Sequence, residues 1–123
     1  MIKHPKEKGR RLELRVAQKL RDSGIDKYAS RTPLSGGGSI KNDILTKSGL
    51  AIECKNVEKI NFMSAYNQCL RDRSFGGGLP IVVWSANRVN KDFVFMDFDE
   101  FLTIFLYAKS SGYPDKDLKN EEN

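Results

Sequence analysis

Hydrophobic residues near the start of the chain follow a helical period. Leu12, Val16 and Leu20 recur at four-residue spacing, and Gly24 can end a helix. This pattern predicts a helix over residues 6–23. At 100° per residue, Glu13 falls inside the apolar arc of that helix rather than on its polar face. We therefore expect the Glu13 carboxylate to point towards the interior.

Shorter apolar stretches predict strands in the next part of the chain. They cover residues 28–32, 43–46 and 50–56, with a Ser-Gly-rich loop at 35–39 between the first two. Alternation in the third strand places Glu53 and Lys55 on one face and Cys54 on the other. A three-residue loop over 47–49 would pair the second and third strands as an antiparallel hairpin, with Asp43 directly opposite Glu53.

The C-terminal half predicts two further helices and two further strands. Asn61 can cap a helix that reaches about residue 73, and Asp97 or Asp99 can cap a last helix that ends at Lys109. Between them, the apolar run 81–84 indicates a buried central strand, and residues 93–96 indicate another. We expect a single α/β domain over residues 1–109, with a mixed central sheet flanked by helices. Residues 110–123 are polar enough to form a disordered tail.

Length and charge narrow the class of protein. The chain has 123 residues, a net charge of +5 and a pI near 9.3. This length suits one domain. The positive residues crowd the N-terminal segment, which favours nucleic acid, ahead of a membrane, as the partner. The alternative is an ordinary solvated helix face.

Cysteine, histidine and hydropathy patterns exclude several kinds of site. Cys54 and Cys69 lack the spacing of a zinc site and are expected to be reduced core thiols. His4 is the only histidine and lies near the chain end, which disfavours Ser-His or Cys-His catalysis. No stretch approaches a membrane span and no signal sequence opens the chain, so an intracellular, cytoplasmic protein is expected.

The apposed acids suggest metal chemistry. In the predicted hairpin the Cβ atoms of Asp43 and Glu53 would lie about 5 Å apart. Two such anions repel each other without a cation, and ligation by oxygen alone favours Mg²⁺, with Mn²⁺ as a substitute. The ion would polarise a phosphate and activate water. Lys55 could orient that water or neutralise developing charge, and Glu13 could serve as an outer ligand.

A helical Glu13, a loop, Asp43 at a strand start and then Glu-x-Lys at 53–55 resemble the PD-(D/E)xK nuclease superfamily. The opening Gly-Arg-Arg-Leu-Glu at 9–13, Arg31, Asn-Asp-Ile at 42–44 and Ile-Glu-Cys-Lys at 52–55 look more closely like archaeal-type Holliday junction resolvases and related small viral or phage nucleases. The likeness spans about residues 6–75.

This resemblance implies a restriction-endonuclease-like fold and a metal-dependent endodeoxyribonuclease that cleaves branched DNA as a homodimer. It implies a catalytic set of Glu13, Asp43, Glu53, Lys55, Ser35 and Gln68, with Asp43, Glu53 and Glu13 as metal ligands. Ser39 is the rival of Ser35 in the same loop, and the alternative for Gln68 is an ordinary polar residue on the flank of its helix. DNA phosphates are expected to contact Lys8, Arg10, Arg11, Arg31 and Lys41.

Some points depart from that pattern or stay open. Asn42 stands where these nucleases usually have proline, a change expected to matter little because the proline is no ligand. Aromatic residues in the C-terminal half could form a dimer interface or fill the core, and we favour the core; they are Trp84, Phe93, Phe95, Phe101, Phe105 and Tyr107. The alternative functions are a phage or repair nuclease acting on other DNA structures, and a non-catalytic DNA-binding module.

Overall fold

Three helices and five strands make up the structure, which is a computed structural model that describes residues 5–33, 42–73 and 77–115. Every predicted element is present, with its ends within about two residues of the prediction. In chain order the elements are α1 (Pro5–Asp22), β1 (Ser30–Arg31), β2 (Ile44–Leu45), β3 (Leu50–Asn56), α2 (Phe62–Asp72), β4 (Leu79–Ser85), β5 (Phe93–Phe95) and α3 (Phe98–Ser110).

The strands form a mixed three-stranded sheet and a separate small ribbon. The sheet has the order β3-β4-β5, with β3 parallel to β4 and β4 antiparallel to β5. Strands β1 and β2 pair with each other, antiparallel. The predicted α/β class is confirmed, and the arrangement is consistent with a restriction-endonuclease-like fold.

Helices α1 and α2 pack on opposite faces of the sheet. On the α1 side, Leu12, Val16 and Ala17 form one core cluster with Ile52, Cys54 and Val83. On the other side, the Cys69 thiol of α2 donates to the Ala51 carbonyl at 3.2 Å. Strand β3 is therefore enclosed on both faces, as strands of parallel sheets usually are. Both cysteines are buried and free, which confirms their prediction as core thiols.

The predicted antiparallel hairpin of β2 and β3 is wrong. All seven residues of β3 instead pair in parallel with β4, and β2 pairs with β1. The loop before β3 is bound to the segment after α1, because the Asp26 carboxylate accepts hydrogen bonds from the amides of Lys47 and Ser48 at 2.6 and 2.9 Å. Gly49 closes the loop at φ +92°, a conformation that favours glycine.

The aromatic residues of the C-terminal half are only partly in the core. Phe95 stacks on Phe62 with ring centroids 4.9 Å apart, and Trp84 is half-buried beside the same ring. Phe93, Phe101 and Tyr107 are exposed. The expectation that the whole set fills the core is therefore wrong for these three side chains.

The structure continues past the predicted end of the domain. After α3 the chain turns at Gly112, and Tyr113 packs edge-to-face on Phe105 with centroids 6.4 Å apart. The rest of the predicted tail, 116–123, lies outside the described residues. Within the described part of the chain, none of the helices has the length and apolar character needed to cross a membrane.

Candidate active site

Asp43 and Glu53 lie side by side at the edge of β3 that does not pair with β4. The Asp43 amide donates to the Ile52 carbonyl at 3.0 Å, and its carboxylate accepts from the Cys54 amide at 2.7 Å. These two contacts flank Glu53, and they bring the Asp43 carboxylate close enough for its charge to raise the pKa of Glu53. The two acids thus meet as expected, but through single contacts of Asp43 rather than a hairpin ladder.

The environment of this pair disfavours two negative charges. Glu53 is 1% exposed, and burial raises the pKa of its carboxyl group to about 8, assisted by the charge of Asp43. Burial also raises the pKa of Asp43, against the stabilising hydrogen bond from the Cys54 amide. Without a cation the pair therefore retains a proton near neutral pH.

Asn42, whose replacement of the usual proline was expected to matter little, is a buried hydrogen-bond partner of Glu53. It is 3% exposed, and its Nδ2 donates to Oε1 of Glu53 at 3.0 Å and to the Cys69 carbonyl at 3.4 Å. Because one Glu53 oxygen is held by this amide, the orientation of the carboxylate is set. The sequence offered one sign of this role, a polar residue directly before the aspartate of the motif.

Lys55 lies on the same face of β3 as Glu53. Its ammonium group donates to Oε1 of Gln68 on α2 at 3.0 Å. The structure therefore brings Lys55 and Gln68 together, beside the two acids. This contact holds the Lys55 ammonium group against the side chain of Gln68.

Glu13 points inward, as its position in the apolar arc predicted, but an arginine binds it. Arg31 Nε donates to Glu13 Oε1 at 2.6 Å, and both side chains are about four-fifths buried. The charge of Glu13 still contributes to the raised pKa of Asp43. Glu13 thus lies near the acid pair, and its charge is paired with the Arg31 guanidinium group.

The chemistry of Asp43 and Glu53 fits a hard divalent cation. Two adjacent carboxylates with raised pKa values gain most when a cation replaces the proton that the pair retains, and Mg²⁺ is commonly held by one or two carboxylates with water and phosphate oxygens. In residues 5–33, 42–73 and 77–115 no group of three or more His, Cys, Asp or Glu side chains could hold a metal ion. Glu13 therefore does not join the pair in a three-ligand cluster.

The predicted DNA-binding residues divide between two flanks of α1. Arg10 borders a cleft with Lys6, Glu13 and Arg31, next to the acid pair. Lys8 and Arg11 border a different cleft, beside Asn56 and the loop after β4. Arg31 faces Glu13, so its first contact is within the protein. Lys41 and the two loop serines, Ser35 and Ser39, lie outside the described residues.

A mixed sheet between two helices, with an Asp…Glu-x-Lys set at the edge of its first long strand, defines a nuclease of the PD-(D/E)xK class. A family model with the description "Phage putative PDDEXK endonuclease" matches residues 4–123, so the chain belongs to this endonuclease family. Neither a curated protein nor a solved structure matches the chain. Nucleases of this superfamily typically use a divalent metal ion, and the family implies DNA as the substrate.

We expect Asn42→Ala to slow cleavage by about ten- to a hundredfold, because a hydrogen bond to a charged group contributes about 1.5–3 kcal/mol. The Asn42 amide lowers the pKa of Glu53, so its loss should also move the acid limb of the pH–rate profile to higher pH. Single-turnover cleavage across pH would measure both effects. Asn67→Ala, which removes an exposed amide on α2, is the control. Unchanged rates and an unchanged profile would exclude a positioning role for Asn42.

Proposed function

We propose that this protein is a Mg²⁺-dependent endodeoxyribonuclease that hydrolyses phosphodiester bonds in branched DNA, with four-way Holliday junctions as the first candidate substrate. The observation that carries the nuclease chemistry is the apposition of Asp43 and Glu53 beside Lys55. A binding module has no need of two adjacent acids whose pKa values are both raised by burial, that of Glu53 also by the charge of Asp43. This argues against the non-catalytic alternative.

Asp43 and Glu53 would hold the ion, with Mn²⁺ as a substitute for Mg²⁺. When bound, the ion would supply Lewis acidity at the scissile phosphate and promote ionisation of the attacking water. Lys55, held by Gln68, would orient that water or offset charge that develops on the phosphate oxygens. Glu13 would serve as an outer carboxylate near Asp43, with its charge offset by Arg31. Ser35 or Ser39 would contribute from the glycine-rich loop.

Basic side chains on both flanks of α1 support DNA as the partner. Lys8 and Arg11 on one flank and Arg10 on the other could contact phosphates on either side of the helix. Lys41 and Arg31 complete the proposed set. Phosphate contacts provide affinity without sequence readout, so the shape of the DNA would determine the substrate. A junction offers two symmetric strands, which suits a homodimer that carries two sites.

Cleavage of a labelled four-way junction, compared with linear duplex and single-stranded DNA, tests this proposal. We expect paired symmetric nicks in the junction with Mg²⁺ or Mn²⁺, and no product with EDTA. Equal cutting of all three substrates would retain the nuclease and reject junction specificity, in favour of a phage or repair nuclease acting on other DNA structures. Binding without cutting in either metal would favour the non-catalytic module.

A further inference from the structure

Helix α3 is the most apolar exposed element of the described structure. It has thirteen residues and buries none of its side chains. Six large apolar side chains on it are between 43% and 72% exposed: Phe98, Phe101, Leu102, Ile104, Leu106 and Tyr107. Contiguous apolar patches of this kind mark interaction sites when they occur on folded proteins.

The apolar residues of α3 form an organised stripe. At 100° per residue, Phe98, Phe101, Leu102 and Phe105 share one side of the helix, whereas Tyr107 lies on the opposite side. Phe101 stacks against both neighbouring rings, with centroids 6.3 Å from Phe98 and 5.7 Å from Phe105. The stripe is therefore a preorganised aromatic surface, so that little side-chain entropy would be lost on docking.

Charge is distributed unevenly along the same helix. Asp97, which caps the helix, and the first-turn residues Asp99 and Glu100 make the N-terminal end acidic, and Lys109 lies in the last turn. By helical geometry Lys109 falls close to the line of Phe98 and Leu102. A second α3 that docks antiparallel would place Lys109 of each copy over the acidic end of the other. A parallel arrangement would instead bring acids against acids and lysine against lysine.

We propose that the α3 stripe is the self-association surface of this protein, on which α3 of a second copy docks antiparallel about a two-fold axis. A self-consistent register sets Leu102 against Phe105 of the other copy and Lys109 against Phe98 of the other copy. Such an interface is isologous, as two-fold dimers require. The inference rests on the homodimer of the proposed function for its biological role, whereas its physical basis is α3 alone.

The size of the surface sets the expected strength of the dimer. Thirteen helical residues span about 20 Å, so one helix pair covers less than the roughly 800 Å² per partner of standard stable interfaces. We therefore expect a reversible dimer in the micromolar range. DNA is a poor ligand for this surface, because the exposed stripe of α3 is apolar and the N-terminal end of α3 is acidic.

Sedimentation of the full chain over a concentration series, without DNA or metal, tests the surface. We expect the mass to rise from the 14.0 kDa monomer to twice that value. Phe101→Glu should weaken self-association by about tenfold or more, since a charge would be buried in the stripe. Tyr107→Glu is the matched control on the opposite side of α3 and should leave the dimer intact. Circular dichroism would show that both variants remain helical.

A charge exchange tests the antiparallel register. Lys109→Glu alone should weaken the dimer, because it faces the acidic end of the other copy. Adding Asp99→Lys in the same chain should restore most of the lost affinity. A wild-type chain that stays monomeric, a Phe101→Glu variant that dimerises normally, or a double variant as weak as the single one would overturn the proposal. Cleavage measured separately keeps the two questions apart, because a monomer that cuts DNA rejects only this surface.

Discussion

Glu53→Gln is expected to abolish cleavage while it stabilises the metal-free protein. The change keeps the shape of the side chain and its hydrogen bond from Asn42, and removes the charge that would hold the cation. We expect cleavage to fall by about a thousandfold or more, a barrier increase of about 4 kcal/mol. The same change removes an ionisable group that is 1% exposed, so the free energy of unfolding without metal should rise at pH 8. Single-turnover cleavage and thermal unfolding in EDTA would measure the two effects.

The opposite signs of these two effects separate a catalytic role from a structural one. Glu58→Gln, which neutralises an exposed acid in the loop after β3, is the control and should leave both quantities nearly unchanged. If Glu53→Gln cuts within about tenfold of the wild type, Glu53 is not a metal ligand. If the variant is inactive and also less stable, the carboxylate serves the fold rather than the reaction.

The sequence predicted the elements well because their periodicity is local. The four-residue spacing in α1, the cap at Asn61 and the alternation in β3 each depend on residues a few positions apart. The pairing of strands depends instead on contacts between residues that are far apart in the chain. The loop over 47–49 had the length and the glycine of a hairpin, but Asp26, more than twenty residues upstream, binds its amides. Register therefore depended on a contact that periodicity does not reveal.

The candidate site shows the same division. Glu53 and Lys55 could be placed on one face from alternation alone, and the inward direction of Glu13 followed from its angle on α1. The contacts that orient these groups come from distant parts of the chain, as in the bonds from Asn42 to Glu53 and from Arg31 to Glu13. The exposure of α3 was equally hidden, because an apolar helix has the same pattern whether it packs in a core or meets a partner.

Without metal, the protein is expected to lose stability as the pH rises from about 4.5 to about 8. In this window Glu53 is ionised in the unfolded chain but still protonated in the folded one, because burial and the charge of Asp43 raise its pKa to about 8. The folded state therefore binds more protons, and rising pH favours unfolding, at about 1.4 kcal/mol per unit of pKa difference for a single group. The raised pKa of Asp43 acts in the same direction. Thermal unfolding in EDTA at several pH values would show the decline.

Mg²⁺ should reverse this loss, and the size of the reversal should itself depend on pH. The cation binds the ionised pair, so it displaces protons and stabilises the folded state much more at pH 8 than at pH 5. In Glu53→Gln, both the loss of stability with rising pH and the stabilisation by Mg²⁺ should be smaller. Asp92 does not confound the measurement, because the hydrogen bond from Arg15 lowers its pKa to about 2, which confines its contribution to acid pH. A melting temperature that is flat from pH 5 to 8 in EDTA, or a Mg²⁺ shift equal at both pH values, would contradict an acid pair that exchanges its proton for a metal ion.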